Sequence, residues 1–247
     1  LQTGEIDVLI RNTTWTSTRD TSWGLFAPTT FYDGQSMMIR KSLNAKTLKD
    51  LKGATICVQS GTTTELNLTD RMREAGVDFK PVVFQDQDPT YAAYEEGRCD
   101  AVTSDMSQLV SRKSVFKVPG DHVIMDLVMS KEPLGPEVPL GDDAWFNVVK
   151  WVVFITFQTE ESGITSKNVD EMLKSTNPDT RRLLGVEGEL HKGLGLEKDW
   201  VVKVVKAVGN YGEIYDRNLG PNTLVSVPRG VNKPWTQGGL LYAPPYR

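Results

Sequence analysis

The run Ala54-Thr55-Ile56-Cys57-Val58 is short, apolar and rich in β-branched residues, and Gln59-Ser60-Gly61 breaks it. Thr62-Thr63-Thr64-Glu65 then opens an amphipathic pattern that reaches Ala75, with Gly76 as its stop signal. A buried strand, a glycine turn and a capped helix in that order form half of a β-α-β unit. The rhythm continues outward. Pro81–Phe84 reads as a strand and Thr90–Glu96 as a helix stopped by Gly97. Asp100–Thr103 reads as a strand and Met106–Val110 as the start of a helix. Upstream, Ile6–Ile10 and Ser36–Arg40 read as strands. Downstream, His122–Met129 reads as a longer apolar strand before the connector Glu132-Pro133-Leu134-Gly135-Pro136. The expected class is α/β with parallel-type sheets.

The remainder reads as mainly helical. Trp145, Val148, Val149, Val152 and Ile155 recur at helical spacing after Gly141-Asp142-Asp143. Trp200, Val201, Val204, Val205 and Val208 repeat that pattern. From Gly220 the chain is rich in Pro, Gly and aromatic residues without a period, as expected of ordered coil.

Composition narrows the function. The 247 residues carry 28 Lys+Arg against 32 Asp+Glu, a net charge of −4, which speaks against a dedicated nucleic-acid or anionic-membrane binder. The apolar run Trp151–Phe157 is too short to cross a bilayer. Two histidines, His122 and His191, and two cysteines, Cys57 and Cys99, form no metal-binding cluster, and no cofactor fingerprint is present. The cysteines allow one bridge or two buried thiols.

Three local patterns could carry chemistry. Gln59-Ser60-Gly61-Thr62-Thr63 lies between a strand and a helix N-terminus, where free N–H groups suit a small anion. The competing reading is a plain capping box of Thr62 with Glu65. Asn12-Thr13-Thr14-Trp15-Thr16-Ser17-Thr18-Arg19 combines several hydroxyl groups with a guanidinium that can bind carboxylate bidentately; the competing reading is a solvated polar loop. Ser104-Asp105 ends a strand, where open α/β sheets bind ligands, and the acid can pair with an ammonium; the competing reading is a helix cap. Together they describe a zwitterion site.

Gly4-Glu5-Ile6-Asp7-Val8 with Thr14, Thr16 and Arg19 resembles the amino-acid-binding branch of the type II periplasmic binding proteins. So do Val58–Thr63 and Gly97-Arg98-Cys99-Asp100-Ala101-Val102 with Asp105. The tail, with Gly209-Asn210-Tyr211-Gly212-Glu213-Ile214 and Gly238-Gly239-Leu240-Leu241-Tyr242, resembles the subgroup serving general L-amino-acid ABC transporters. The resemblance implies two lobes, residues 1–38 with 130–247 and residues 39–129, joined by a hinge and closing on the ligand. It implies that Arg19, helped by Thr14, grips the α-carboxylate, that Asn12 offers a backbone group, and that Gly61, Thr62 and Thr63 close on the same carboxylate. Asp105 would take the α-ammonium, with Gln59 and Ser104 facing the ligand side chain. A membrane permease would be the partner and the bacterial periplasm the compartment. Cys57 and Cys99 would flank neighbouring strands, and an oxidising compartment permits a bridge.

Family members carry a strand, a helix and a second strand ahead of the region that begins here at Leu1. The resemblance therefore implies an incomplete first lobe, weakened binding, and self-association into a homo-oligomer through a bared sheet edge. The alternative reading is a weak ester hydrolase using His122 with Asp121 and Ser111 or Ser114, although no Gly-x-Ser-x-Gly elbow exists.

Overall fold

A computed structural model describes residues 1–247. The chain begins with α1 (Ser17–Ser22) and β1 (Leu25–Phe26), and β2 (Phe31–Arg40) leads out of this region. There follow β3 (Thr55–Gln59), α2 (Thr63–Glu74), β4 (Lys80–Phe84), α3 (Gln87–Glu95), β5 (Ala101–Asp105), α4 (Met106–Ser114) and β6 (His122–Ile124). Strand β7 (Lys131–Leu134) leads back to β8 (Glu137–Val138) and to the helices α5 (Asp143–Glu161), α6 (Val169–Met172), α7 (Pro178–Leu183), α8 (Trp200–Val208) and α9 (Tyr211–Leu219). Two units result: Leu1–Tyr32 with Leu134–Arg247, and the uninterrupted segment Asp33–Pro133.

In the uninterrupted unit the sheet order is β4-β3-β5-β2-β6, with β7 also paired to β2. Strand β3 runs parallel to β4 and β5. Strand β2 runs antiparallel to β5 and β6. The sheet is therefore mixed, which corrects the parallel expectation. Strand β2 sits between β5 and β6 and runs against both, so the strand direction changes at the β5–β2 boundary.

Strand alternation sends each residue set to its own layer. Met37, Ile39, Ile56, Val58 and Ala101 pack under Leu68 and Met72 of α2. Met38, Cys57 and Val102 face the other way, against Tyr91 and Tyr94 of α3, Leu109 of α4 and Phe116. Each fully buried aliphatic side chain contributes about 1.5–3 kcal/mol. Cys57 and Cys99 form a disulfide on this second face.

Two strand expectations fail. Of Ile6–Ile10, only Leu9 pairs, in a single bridge with Glu137. Of His122–Met129, only the first three residues form a ladder. The Leu127 N–H turns back to the Met125 carbonyl at 2.9 Å, and that tight turn ends the regular pairing.

In the other unit, β1 and β8 form a two-stranded antiparallel sheet. The core of its helical part is Ile155, Ile164, Val169, Leu183, Leu184 and the buried face of α8, led by Trp200 and Val205. Helix α9 starts with a capping box: Asn210 accepts from the Glu213 N–H, and Glu213 accepts from the Asn210 N–H.

Candidate functional site

In the interrupted unit, Thr16 caps the short helix α1, its hydroxyl accepting the Arg19 N–H at 3.3 Å. Arg19 Nη1 donates to the Thr14 carbonyl at 3.0 Å, and its guanidinium carbon lies 5.1 Å from the centroid of the Trp23 ring. Two contacts thus hold the cation in place. Thr14 is buried and bridges to Leu134, whereas Asn12 is exposed. Glu137 stands near Arg19 with 0% exposure, and neither carboxylate oxygen has a hydrogen-bond partner. Burial raises its pKa, and the Arg19 charge opposes that shift without cancelling it.

Sequence reasoning missed an aromatic cleft of about 360 Å³ in this unit. Its walls include Trp15, Phe26, Tyr32, Phe146 and Phe154, with Lys150 as the one charged group. Trp15 stacks on Phe26 with ring centroids 5.7 Å apart. The signal was present in the aromatic residues of segments 15–32 and 146–157, but only folding brings the two segments together.

In the uninterrupted unit, Gly61 has φ of +69°, a left-handed turn that favours glycine. The Thr62 hydroxyl accepts the Glu65 N–H at 3.1 Å as the cap of α2. The Glu65 carboxylate reaches back to the Gly61 N–H at 2.8 Å. Part of the expected anion nest is therefore already occupied by the helix's own acid. The Gln59 amide donates to the Gln85 carbonyl at 3.1 Å, which ties that side chain to the next loop.

Asp105 is the last residue of β5, is 3% exposed, and is paired across the ladder with Gln35. The Gln35 amide donates to the Thr64 carbonyl at 2.9 Å and to Thr103 Oγ1 at 2.8 Å. Asp105, Gln35 and Thr103 consequently share the sheet face beneath α2. Ser104 alternates to the opposite face, where it pairs with Ser36. The sequence grouped Ser104 with Asp105 as ligand neighbours; strand alternation separates their side chains. Two further acids, the half-buried Asp33 and the buried Glu132, also escaped the sequence reading. Asp33 accepts the Gly34 N–H at 2.8 Å and the Ser107 N–H at 3.1 Å, and its pKa is raised by burial. Glu132 accepts from Thr63, Asn67 and Ser130. An acid inside the Pro/Gly-rich connector was the available signal for Glu132.

The hydrolytic arrangement does not form. His122 is buried, and its Nδ1 shares a hydrogen bond of 2.9 Å with the Tyr94 hydroxyl. Its ring packs on Tyr94 and Phe116. Burial lowers its pKa, with the neighbouring positive charge of Arg40 acting in the same direction. The Ser114 hydroxyl donates to the Ser111 carbonyl at 2.7 Å, and Asp121 lies in the 3-10 turn before β6. His122 serves the core of α3, not a serine. No cluster of three or more His, Cys, Asp or Glu side chains could hold a metal ion. No helix is long and apolar enough to cross a membrane.

A mixed-sheet α/β unit, inserted through two strands into a second unit with acid and guanidinium groups at element ends, has the architecture of a type II periplasmic binding protein. Comparison with known proteins agrees. A family model described as "NMT1/THI5 like" matches residues 32–124. The chain is 52% identical to the general L-amino acid-binding periplasmic protein AapJ of Rhizobium johnstonii, over 100% of this chain and 73% of that protein. It is 45% identical to the glutamate/glutamine/aspartate/asparagine-binding protein BztA of Rhodobacter capsulatus, over 100% and 74%. A solved ABC transporter periplasmic binding protein from Brucella ovis, with glutathione bound, superposes with a TM-score of 0.97 at 50% identity, over 100% of this chain and 78% of that one. The chain belongs to the family of periplasmic amino-acid-binding proteins of ABC transporters.

Proposed function

We propose that this chain captures L-amino acids in the bacterial periplasm and delivers them to a membrane permease. The two units would be the two lobes. Arg19, held by Thr14 and Trp23, takes the ligand α-carboxylate. Asp105, a buried carboxylate at the end of β5, takes the α-ammonium. The backbone at the start of α2, where the helix N-terminus carries partial positive charge, adds to the attraction for the carboxylate. The identity along the whole chain to a relative named for general L-amino acid binding is the observation that supports this most.

Glutathione in the Brucella ovis structure favours a wider ligand class. Its γ-glutamyl end bears the same α-ammonium and α-carboxylate as a free amino acid, so one head-group site can serve both. Calorimetric titration with a panel of L-amino acids, with glutathione alongside, tests the reading. Micromolar or tighter binding of polar L-amino acids is expected. Arg19→Ala and Asp105→Asn are each expected to weaken it by about 2–4 kcal/mol, because each leaves a buried charge unpaired. Equal affinity in all three proteins would place the site elsewhere.

A further inference from the structure

One buried amide ties the start of α2 to the end of β5. Gln35, on β2, is 0% exposed. Its Nε2 donates one hydrogen to the carbonyl of Thr64, in the first turn of α2, at 2.9 Å. It donates the other to Thr103 Oγ1, on β5, at 2.8 Å. The partners fix which way the amide points. A carbonyl only accepts, and the Thr103 hydroxyl sends its own hydrogen to the Ser36 carbonyl at 2.7 Å, so both partners need a donor from Gln35. Both hydrogens of the amide nitrogen are then committed.

The other end of the amide gains nothing from the fold. Gln35 Oε1 is buried and meets no donor in the protein. An unpaired buried acceptor costs stability, and a methionine would fill much the same space without that cost. What the glutamine adds is a fixed spacing between two elements. In the ladder it stands directly opposite Asp105, the last residue of β5, and through Thr64 it holds the residue that follows Gly61–Thr63 in the chain. One side chain thus sets the separation between the proposed ammonium acceptor and the helix start that attracts the carboxylate.

We infer that Gln35 is a positioning residue that determines specificity: by tying Thr64 to Thr103 it fixes the distance between the start of α2 and Asp105, and so selects ligands whose ammonium and carboxylate sit on one carbon. This deepens the amino-acid reading and rests on it. Gln35 acts through the two elements it joins. A ligand with its amino group on the next carbon needs a wider setting of the same groups, which the tie withholds.

The test is calorimetry of the wild type, Gln35→Met and Thr103→Val with L-glutamate, and with L-β-homoglutamate in competition against it. Gln35→Met keeps the bulk and removes both donors. Thr103→Val removes one acceptor and leaves the bond to Thr64. Affinity for L-glutamate is expected to fall about tenfold in Gln35→Met, and affinity for the β-homologue less than about twofold, so that the preference narrows. Thr103→Val is expected to narrow it in the same direction by less, and it decides the matter if Gln35→Met does not fold. Equal losses for both ligands, as a merely structural residue would give, or unchanged affinities, would overturn the inference. A second measurement needs no ligand: amide exchange of residues 63–66 and 103–106 is expected to quicken together in both variants. Unchanged exchange would sink the tie. Should the wild type bind no amino acid, the amino-acid reading fails by itself, and the exchange rates still judge Gln35.

Discussion

Glu137 shows how one side chain can work against the fold that contains it. Its carboxylate is buried, lacks hydrogen-bond partners, and has its pKa raised by burial. The folded state therefore holds this proton more tightly than the unfolded state does. Its contribution to stability is full below the ordinary carboxylate pKa and is lost as the pH rises through the raised value. Glu137→Gln, which removes the charge, is expected to stabilise the protein by about 1–2 kcal/mol at pH 8, with the gain vanishing near pH 4. Urea unfolding at both pH values measures it, and equal stability at pH 8 would contradict the account. Single residues were also where the sequence was hardest to read. Arg19 and Asp105 stood out by the patterns around them, a hydroxyl-rich run before the guanidinium and a strand ending at the acid, although each also admitted a plainer reading as a polar loop or a helix cap. Glu132 and Glu137 looked like ordinary connector acids, since burial depends on chain segments far from them in sequence.

Among the elements, legibility followed local signals. Strand β3, the Gly61 turn and the capped helix α2 were readable because alternation, a left-handed glycine and a Thr/Glu pair all lie within a few residues. Ile6–Ile10 misled because its pattern suits a strand, while pairing depends on a partner; Ile10 is 66% exposed and Leu9 makes the only bridge there. The antiparallel placing of β2 was equally invisible, since apolar runs do not carry direction. Helix α9 offers a test at this scale. Asn210 is buried, accepts the Glu213 N–H at 2.9 Å and donates to the Ile164 carbonyl at 2.8 Å. Asn210→Ala is expected to cost about 1–2 kcal/mol, visible as a lower thermal midpoint. A midpoint unchanged within error would show that the cap is dispensable.

Over the whole molecule, each unit has its own apolar clusters, and the disulfide belongs to one of them. Its loop spans a sequence separation of 42. Closing a loop of that length restricts the unfolded chain by about 3–4 kcal/mol on the chain-entropy account. Cys57→Ala with Cys99→Ala is therefore expected to shift the unfolding of Asp33–Pro133 to lower denaturant and to leave the helical unit in place. Trp145, Trp151, Trp200 and Trp235 all lie in the helical unit and report on it by fluorescence, while amide exchange follows the other. Equal displacement of both signals would mean that the units unfold as one. The connectivity has a further consequence for biogenesis. Residues 33–133 are continuous, and the strands at their ends pair with each other. As the polypeptide leaves the ribosome or a translocation pore, this inner segment holds everything its own sheet requires while the residues after Leu134 are still to come. The outer unit is written in two instalments on either side of it, and its helical core must await the second. The order of acquisition is thus built into the path of the chain: the inserted part matures first, and the part that brackets it matures last.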